Sequence, residues 1–121
     1  MKQFKDLKVW QRSHVLTLEI YRMSAEFPRD ERFGLVAQLR RAAVSVPTNI
    51  PEGAKRQRKQ DYARFLNISE ASLAETSYLL ILGRDLGYSK PEIIERILVE
   101  SEEISRMLHA LRTKVEQRTD R

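Results

Sequence analysis

Residues 87–115 read GYSKPEIIERILVESEEISRMLHALRTKV, and this stretch decides the fold. Gly87 is a helix stop, Ser89 and Glu92 have the spacing of a capping box, and Pro91 falls in the first turn of the next helix. From there Ile94, Ile97, Ser101, Ile104, Leu108, Leu111 and Val115 alternate steps of three and four, a heptad seam interrupted by one serine. The pattern predicts a helix over about 90–117 that packs nearly antiparallel to its neighbours.

Upstream of Gly87, residues 58–86 predict a long helix with two apolar lines. One runs through Tyr62, Leu66, Leu73 and Leu80, the other through Ile68, Leu79, Leu82 and Leu86. A helix apolar on two sides needs neighbours on both, in its own bundle or in another subunit. Gly53 and the cluster Lys55-Arg56-Gln57-Arg58-Lys59 mark the boundary before it. Between residues 31 and 55, Leu35, Val36, Leu39, Ala42, Ala43, Val46 and Ile50 keep a 3.6-residue period through Pro47. Pro47 and Pro51 each lack an amide donor, so the carbonyls of Ala43 and Pro47 lose their partners, with Ser45, Thr48 and Asn49 as candidates to fill the gap. Two readings stay open: one helix kinked near Pro47, or a break at Ser45 and a restart at Pro47. Pro28 to Arg32 reads as a short turn with Asp30 as candidate N-cap. Before it, Leu7, Trp10, Leu18 and Tyr21 form one helical line over residues 6–27, and Leu16, Ile20, Met23 and Phe27 a second.

Four such helices, at about 1.5 Å per residue, are rods of about 30 to 40 Å joined by short turns. The expected fold is all-α: an antiparallel up-down-up-down four-helix bundle that occupies the 121 residues as one domain. Composition agrees, with 41% apolar and 32% charged residues, four Gly and four Pro. There is no cysteine, which removes thiolate nucleophiles, Cys-based zinc sites and disulfides and suits a reducing compartment. The start, Met1 to Asp6, holds no apolar signal core and the longest apolar run, Tyr78 to Leu82, is too short to span a bilayer, so a cytoplasmic protein is expected. Glu116 to Arg121 are expected to fray.

The net charge of +5 is unevenly placed. Residues 1–28 carry +2, residues 29–64 carry +5 and residues 65–121 carry −2. The cluster at 55–59 is what a phosphate-facing patch requires, and equally what a solvated interhelical loop contains. No constellation of catalytic groups accompanies it. His14 and His109 lack metal-ligand spacing, Gly34, Gly53, Gly83 and Gly87 form no phosphate loop, and no paired Glu-x-x-His pattern exists. The sequence therefore points away from an enzyme and implies no cofactor. His14, on the first helix's apolar line, reads as a core or interface histidine. Arg41, Asn49, Glu52, Arg56 and Glu75 could converge, either as a buried hydrogen-bond and ion-pair network that fixes the second helix against the third or as a ligand site; Glu75 interrupts an apolar line and, buried, would need donors around it.

Three segments resemble the 23S rRNA intervening-sequence proteins: Phe4 to Gln11, Gly34 to Gly53 and Asp61 to Leu66. The resemblance runs from Phe4 to about Leu111, and its middle motif, from Arg40-Arg41-Ala42 through Asn49 to Glu52-Gly53, is long and specific. It implies a bacterial four-helix bundle assembled as a ring-like homopentamer. It also implies kinship with accessory proteins of reverse transcriptases in diversity-generating retroelements, thought to bind nucleic acid and the polymerase. The family motif maps onto Arg40, Arg41, Ser45, Asn49, Glu52, Gly53, Arg56, Ser72 and Glu75. Pro51, where Ala or Arg is usual, and Ala71, where Gly is common, depart from it.

Two functions are expected on these grounds. The first is nucleic-acid binding without strong sequence specificity, with Arg40, Arg41, Lys55, Arg56, Arg58, Lys59 and Arg64 neutralising phosphates. The second is a protein-interaction scaffold or accessory factor that uses the surface of the ring. The doubly apolar third helix and the large Trp10 and Tyr21 predict a homo-oligomer.

Overall fold

Four long helices carry the chain in a computed structural model that describes residues 3–119. Met1, Lys2, Asp120 and Arg121, on which parts of the leader and fraying expectations fall, lie outside the described residues. Helix α1 spans Lys8–Ser24, α2 Leu35–Ala54, α3 Lys59–Asp85 and α4 Pro91–Glu116. Each helix packs on the next in sequence and α4 closes back on α1, with the diagonal pairs farther apart. This is the up-down-up-down bundle.

Most of the apolar lines become its core: in α1 the line through Leu16, Ile20, Met23 and Phe27 is buried, whereas Leu18 and Tyr21 of the other line stay exposed. Leu16, Ile20, Leu39, Val46, Ile50, Leu66, Leu80, Ile94, Ile104 and Leu108 are all but inaccessible. The serine in the seam of α4 is accounted for: the hydroxyls of Ser101 and Ser77 on α3 lie 2.8 Å apart. Ser69 likewise donates to the carbonyl of Val46 across α2 and α3 (2.8 Å). Among the described residues no buried side-chain nitrogen or oxygen lacks a partner, as a stable interior requires.

Helix α2 runs unbroken through Pro47 and Pro51, which settles the two readings in favour of one helix. The Ala43 carbonyl freed by Pro47 faces the hydroxyl of Thr17 on α1 (3.3 Å). Thr48 and Asn49, expected to fill that gap, instead bond to the carbonyls of Val44 and Ser45, each at 2.7 Å.

Several boundaries differ from expectation. Helix α1 starts after a 3₁₀ turn at Phe4–Asp6 and ends at Ser24 rather than residue 27, because Phe27 turns inward, meets the Tyr88 ring at 5.5 Å and fills the space beside Gly83. Asp30 caps nothing: Arg29–Glu31 is a 3₁₀ turn, α2 begins at Leu35, and the Leu35 amide donates to the Glu31 carboxylate (3.1 Å). The Ser89/Glu92 capping box does not form, because α4 has Lys90 at its N-cap, one residue later than the box requires, with Pro91 next. The stop at Gly87 is as read. Gly87 has φ +77°, and the amides of Tyr88 and Gly87 bond to the carbonyls of Gly83 and Arg84, a Schellman cap that favours glycine.

Two expectations about burial also change. His14 is exposed and stacks on Trp10, ring centroids 5.2 Å apart. Glu75 is exposed too, so the break it makes in the apolar line of α3 points outward. Of α3's second line Leu79 is buried, but Ile68 and Leu86 remain exposed. No helix among the described residues is long and apolar enough to cross a membrane.

Candidate nucleic-acid interface

At Gly53 the end of α2 and the start of α3 come together. A Cβ there would lie 2.7 Å from Cβ of Phe65 and 3.0 Å from Cδ1 of Tyr62, so only glycine allows this approach. The chain then turns through residues 55–58, with Lys55, Arg56 and Arg58 exposed, and enters α3. The guanidinium groups of Arg56 and Arg64 each stand 4.8 Å from the Phe65 ring. One aromatic ring thus contacts two cations.

The antiparallel topology brings two further segments to this end, the first turn of α1 and the last turn of α4. Lys59 donates to the Arg118 carbonyl (2.8 Å), and the Arg118 guanidinium lies 5.8 Å from the Tyr62 ring. Burial pushes the Tyr62 phenol pKa up. Arg112 is paired with Glu70 and with Glu116 (3.1 Å), and the hydrogen bond it donates to Glu70 raises its pKa. Lys59, Arg64, Asn67, Arg112 and Glu116 line an open cleft of about 450 Å³. Together the end holds Lys5, Lys8, Lys55, Arg56, Arg58, Lys59, Arg64, Arg112, Lys114 and Arg118 against Asp6, Glu52, Asp61, Glu70 and Glu116. The opposite end is balanced, with Arg22, Arg29, Arg32, Arg84, Lys90 and Arg96 against Glu19, Glu26, Asp30, Glu31, Asp85, Glu92 and Glu95.

Of the cations read from sequence, Lys55, Arg56, Arg58, Lys59 and Arg64 are brought together here. Arg40 and Arg41 are not, since they precede Lys55 by about 20 Å of helix. Arg40 is occupied within the protomer. It bonds to the Ser24 hydroxyl and the Tyr21 carbonyl, both at 2.9 Å, and lies 4.6 Å from the Tyr21 ring, a cation closing the last turn of α1. The expected convergence of Arg41, Asn49, Glu52, Arg56 and Glu75 does not form. Ser45 and Ser72 share a hydrogen bond of 2.7 Å, and Asn49 donates to the Ser45 hydroxyl (3.0 Å). Glu75 accepts from Gln38 (3.3 Å). Arg41 and Glu52 are exposed and make no ion pair among the described residues. Sequence reasoning missed Lys5, Lys8, Arg112, Lys114 and Arg118. The net −2 of the last third concealed Arg112, Lys114 and Arg118, and only the up-down topology, which places the C-terminal end of α4 beside residues 55–59, could have found them.

Among the described residues no group of three or more His, Asp or Glu is placed to hold a metal ion. Fold and surface define a helical bundle with a charge-polarised long axis. The chain belongs to the 23S rRNA-intervening sequence protein family, whose family model matches residues 5–110. It is similar to the crystal structure of a protein of unknown function from the S23 ribosomal protein family of Bacteroides thetaiotaomicron, with 27% identity and a TM-score of 0.77 over 85% of this chain and 96% of that one. No curated protein matches.

Proposed function

We propose that the protein is a non-enzymatic, cytoplasmic, self-associating nucleic-acid binder that holds the sugar-phosphate backbone at its basic end. The observation that carries this reading is the collection of ten Lys and Arg from four chain segments at one end of a rod whose other end is balanced. Such a pole attracts phosphate by charge and counterion release, without a groove-reading element that would select sequence. Phe65 and Tyr62 are already covered by Arg56, Arg64 and Arg118, so base stacking plays a minor part. Self-association, as the homopentamer that the family resemblance implies, sets several such ends side by side.

Charge reversal tests it. The double variant Arg56→Glu/Arg58→Glu should lose retention of single-stranded RNA and DNA alike, with the salt dependence of any residual binding shallower by about one log unit for each phosphate no longer engaged. Unchanged retention would refute the reading.

A scaffold for a protein partner is the second reading. It is favoured by the exposed groove of about 470 Å³ between α1 and α2, walled by Phe4, Trp10, His14, Val44, Pro47 and Pro51. Under it the same charge reversal leaves partner capture intact.

A further inference from the structure

The outer faces of α2 and α3 carry matched stripes. On α2, Arg41, Val44, Thr48 and Glu52 succeed one another at steps of three and four, all exposed; on α3, Arg64, Ile68, Ala71, Glu75 and Tyr78 do the same. Val44 is 38% exposed and Ile68 37%, so each stripe has apolar surface between an arginine and a glutamate, and on α3 the exposed Tyr78 follows Glu75. Arg41 to Glu52 and Arg64 to Glu75 span the same eleven residues, about 16 Å of helix. None of the four charges is in an ion pair among the described residues.

The two stripes also lie at the same heights in the rod. Gln38, one turn before Arg41, bonds to Glu75, Ser45 bonds to Ser72, and Gly53, next to Glu52, touches Phe65, next to Arg64. The order of charge is opposite at the two levels: Arg41 is level with Glu75, and Glu52 with Arg64. A second copy standing beside the first, pointing the same way and rotated about an axis along the rods, can therefore lay its α3 stripe on the α2 stripe of the first with no axial shift.

We infer that copies of this chain join α2 to α3 in that register, with Arg41 against the partner subunit's Glu75 and Glu52 against the partner subunit's Arg64. The inference rests on the self-association proposed above and names its surface. Val44, Thr48 and Glu52 also line the groove between α1 and α2, so the level of Ile68 falls beside the apolar wall made by Pro47 and Pro51. The joint uses a different face on each copy, so it repeats around a closed ring when the rotation closes. It keeps every rod pointing one way and gathers the basic ends on one side. Arg64 is then committed to the joint, and Lys55, Arg56 and Arg58 remain for phosphate. An inverted, two-fold packing of α2 on α2 would instead set Arg41 against the partner subunit's Glu52, leave the α3 stripe uncovered and send the basic ends to opposite sides.

The chain's lack of cysteine makes a disulfide test unambiguous. Arg41→Cys chains mixed with Glu75→Cys chains under mild oxidation should cross-link to each other at least tenfold more than Arg41→Cys chains mixed with Glu52→Cys chains. In sedimentation equilibrium, Arg41→Glu should lower association at least tenfold and the combined Arg41→Glu/Glu75→Arg variant should restore it, with far-UV circular dichroism confirming equal helix content. If a swap variant does not fold, the cysteine pairs, which change only exposed side chains, decide alone. A wild-type chain that stays monomeric at about 100 μM overturns both self-association and this joint. An oligomer in which 41–52 cross-links dominate, 41–75 cross-links are absent, or the charge swaps have no effect keeps self-association and overturns the joint.

Discussion

Gly53 lets α2 come close to α3. With the nearest atoms of Phe65 and Tyr62 at 2.7 and 3.0 Å from the place of a Cβ, Gly53→Ala must force the helices apart despite alanine's better helix propensity. Overpacking of this kind costs about 1 to 3 kcal/mol. Urea unfolding should show that loss, and equal or greater stability would contradict the close approach. Thr17 makes a smaller contribution. Its hydroxyl lies between the carbonyls of Ser13 (2.8 Å) and Ala43 (3.3 Å), and Thr17→Val leaves the carbonyl freed by Pro47 unpaired at a cost of about 1 kcal/mol; a change below a few tenths in the same unfolding assay would contradict it. Gly53 stood out in the sequence as part of a motif, but its reason did not, because the clash involves residues nine and twelve positions away on an antiparallel neighbour. The Thr17 partnership is less legible still, since it depends on which turn of α1 meets the proline.

At the scale of helices, what was legible was what repeats. The core line of α3 and the seam of α4, except the partly buried Leu111, are buried where the period placed them, because one missed position in such a line is outvoted by the rest. Ends are set by single contacts, and there the reading slipped. Glu31 reached over Gly34 to the start of α2, and Phe27 left the helix to fill the space at Gly83. Nothing local in either segment announces these tertiary choices. The tether between α1 and α4 was not read at all. Arg12 bonds to Glu100 (2.7 Å) and Glu103 (2.6 Å) across 88 and 91 residues of sequence. The Arg12 hydrogen bond, then its charge, hold the Glu103 carboxyl below its ordinary value. Because the folded-state value is the depressed one, the unfolded chain takes up more protons in the acid range. The stabilisation is complete above the ordinary carboxylate range and disappears as pH falls through the depressed value. Arg12→Ala should therefore lower Tm at pH 7 and lower it progressively less toward pH 3. A Tm difference independent of pH would contradict the tether.

Across the whole molecule, the polarity of charge emerged only on folding. The sequence located its basic pole in residues 29–64, yet Arg40 and Arg41 stand well away from the end to which Lys55, Arg56 and Arg58 belong, and the end of α4 with the residues just past it adds Arg112, Lys114 and Arg118 there. Charge summed along a chain differs from charge summed over a surface, and only the up-down path converts one to the other. That this end holds phosphate by charge is checked by titrating a fluorescent single-stranded RNA with the wild-type protein at several salt concentrations between about 50 and 200 mM. With Lys55, Arg56 and Arg58 each engaging a phosphate, log K should fall against log salt with a slope of about −2 or steeper. Negligible binding at the lowest salt, or an affinity indifferent to salt, would contradict the account.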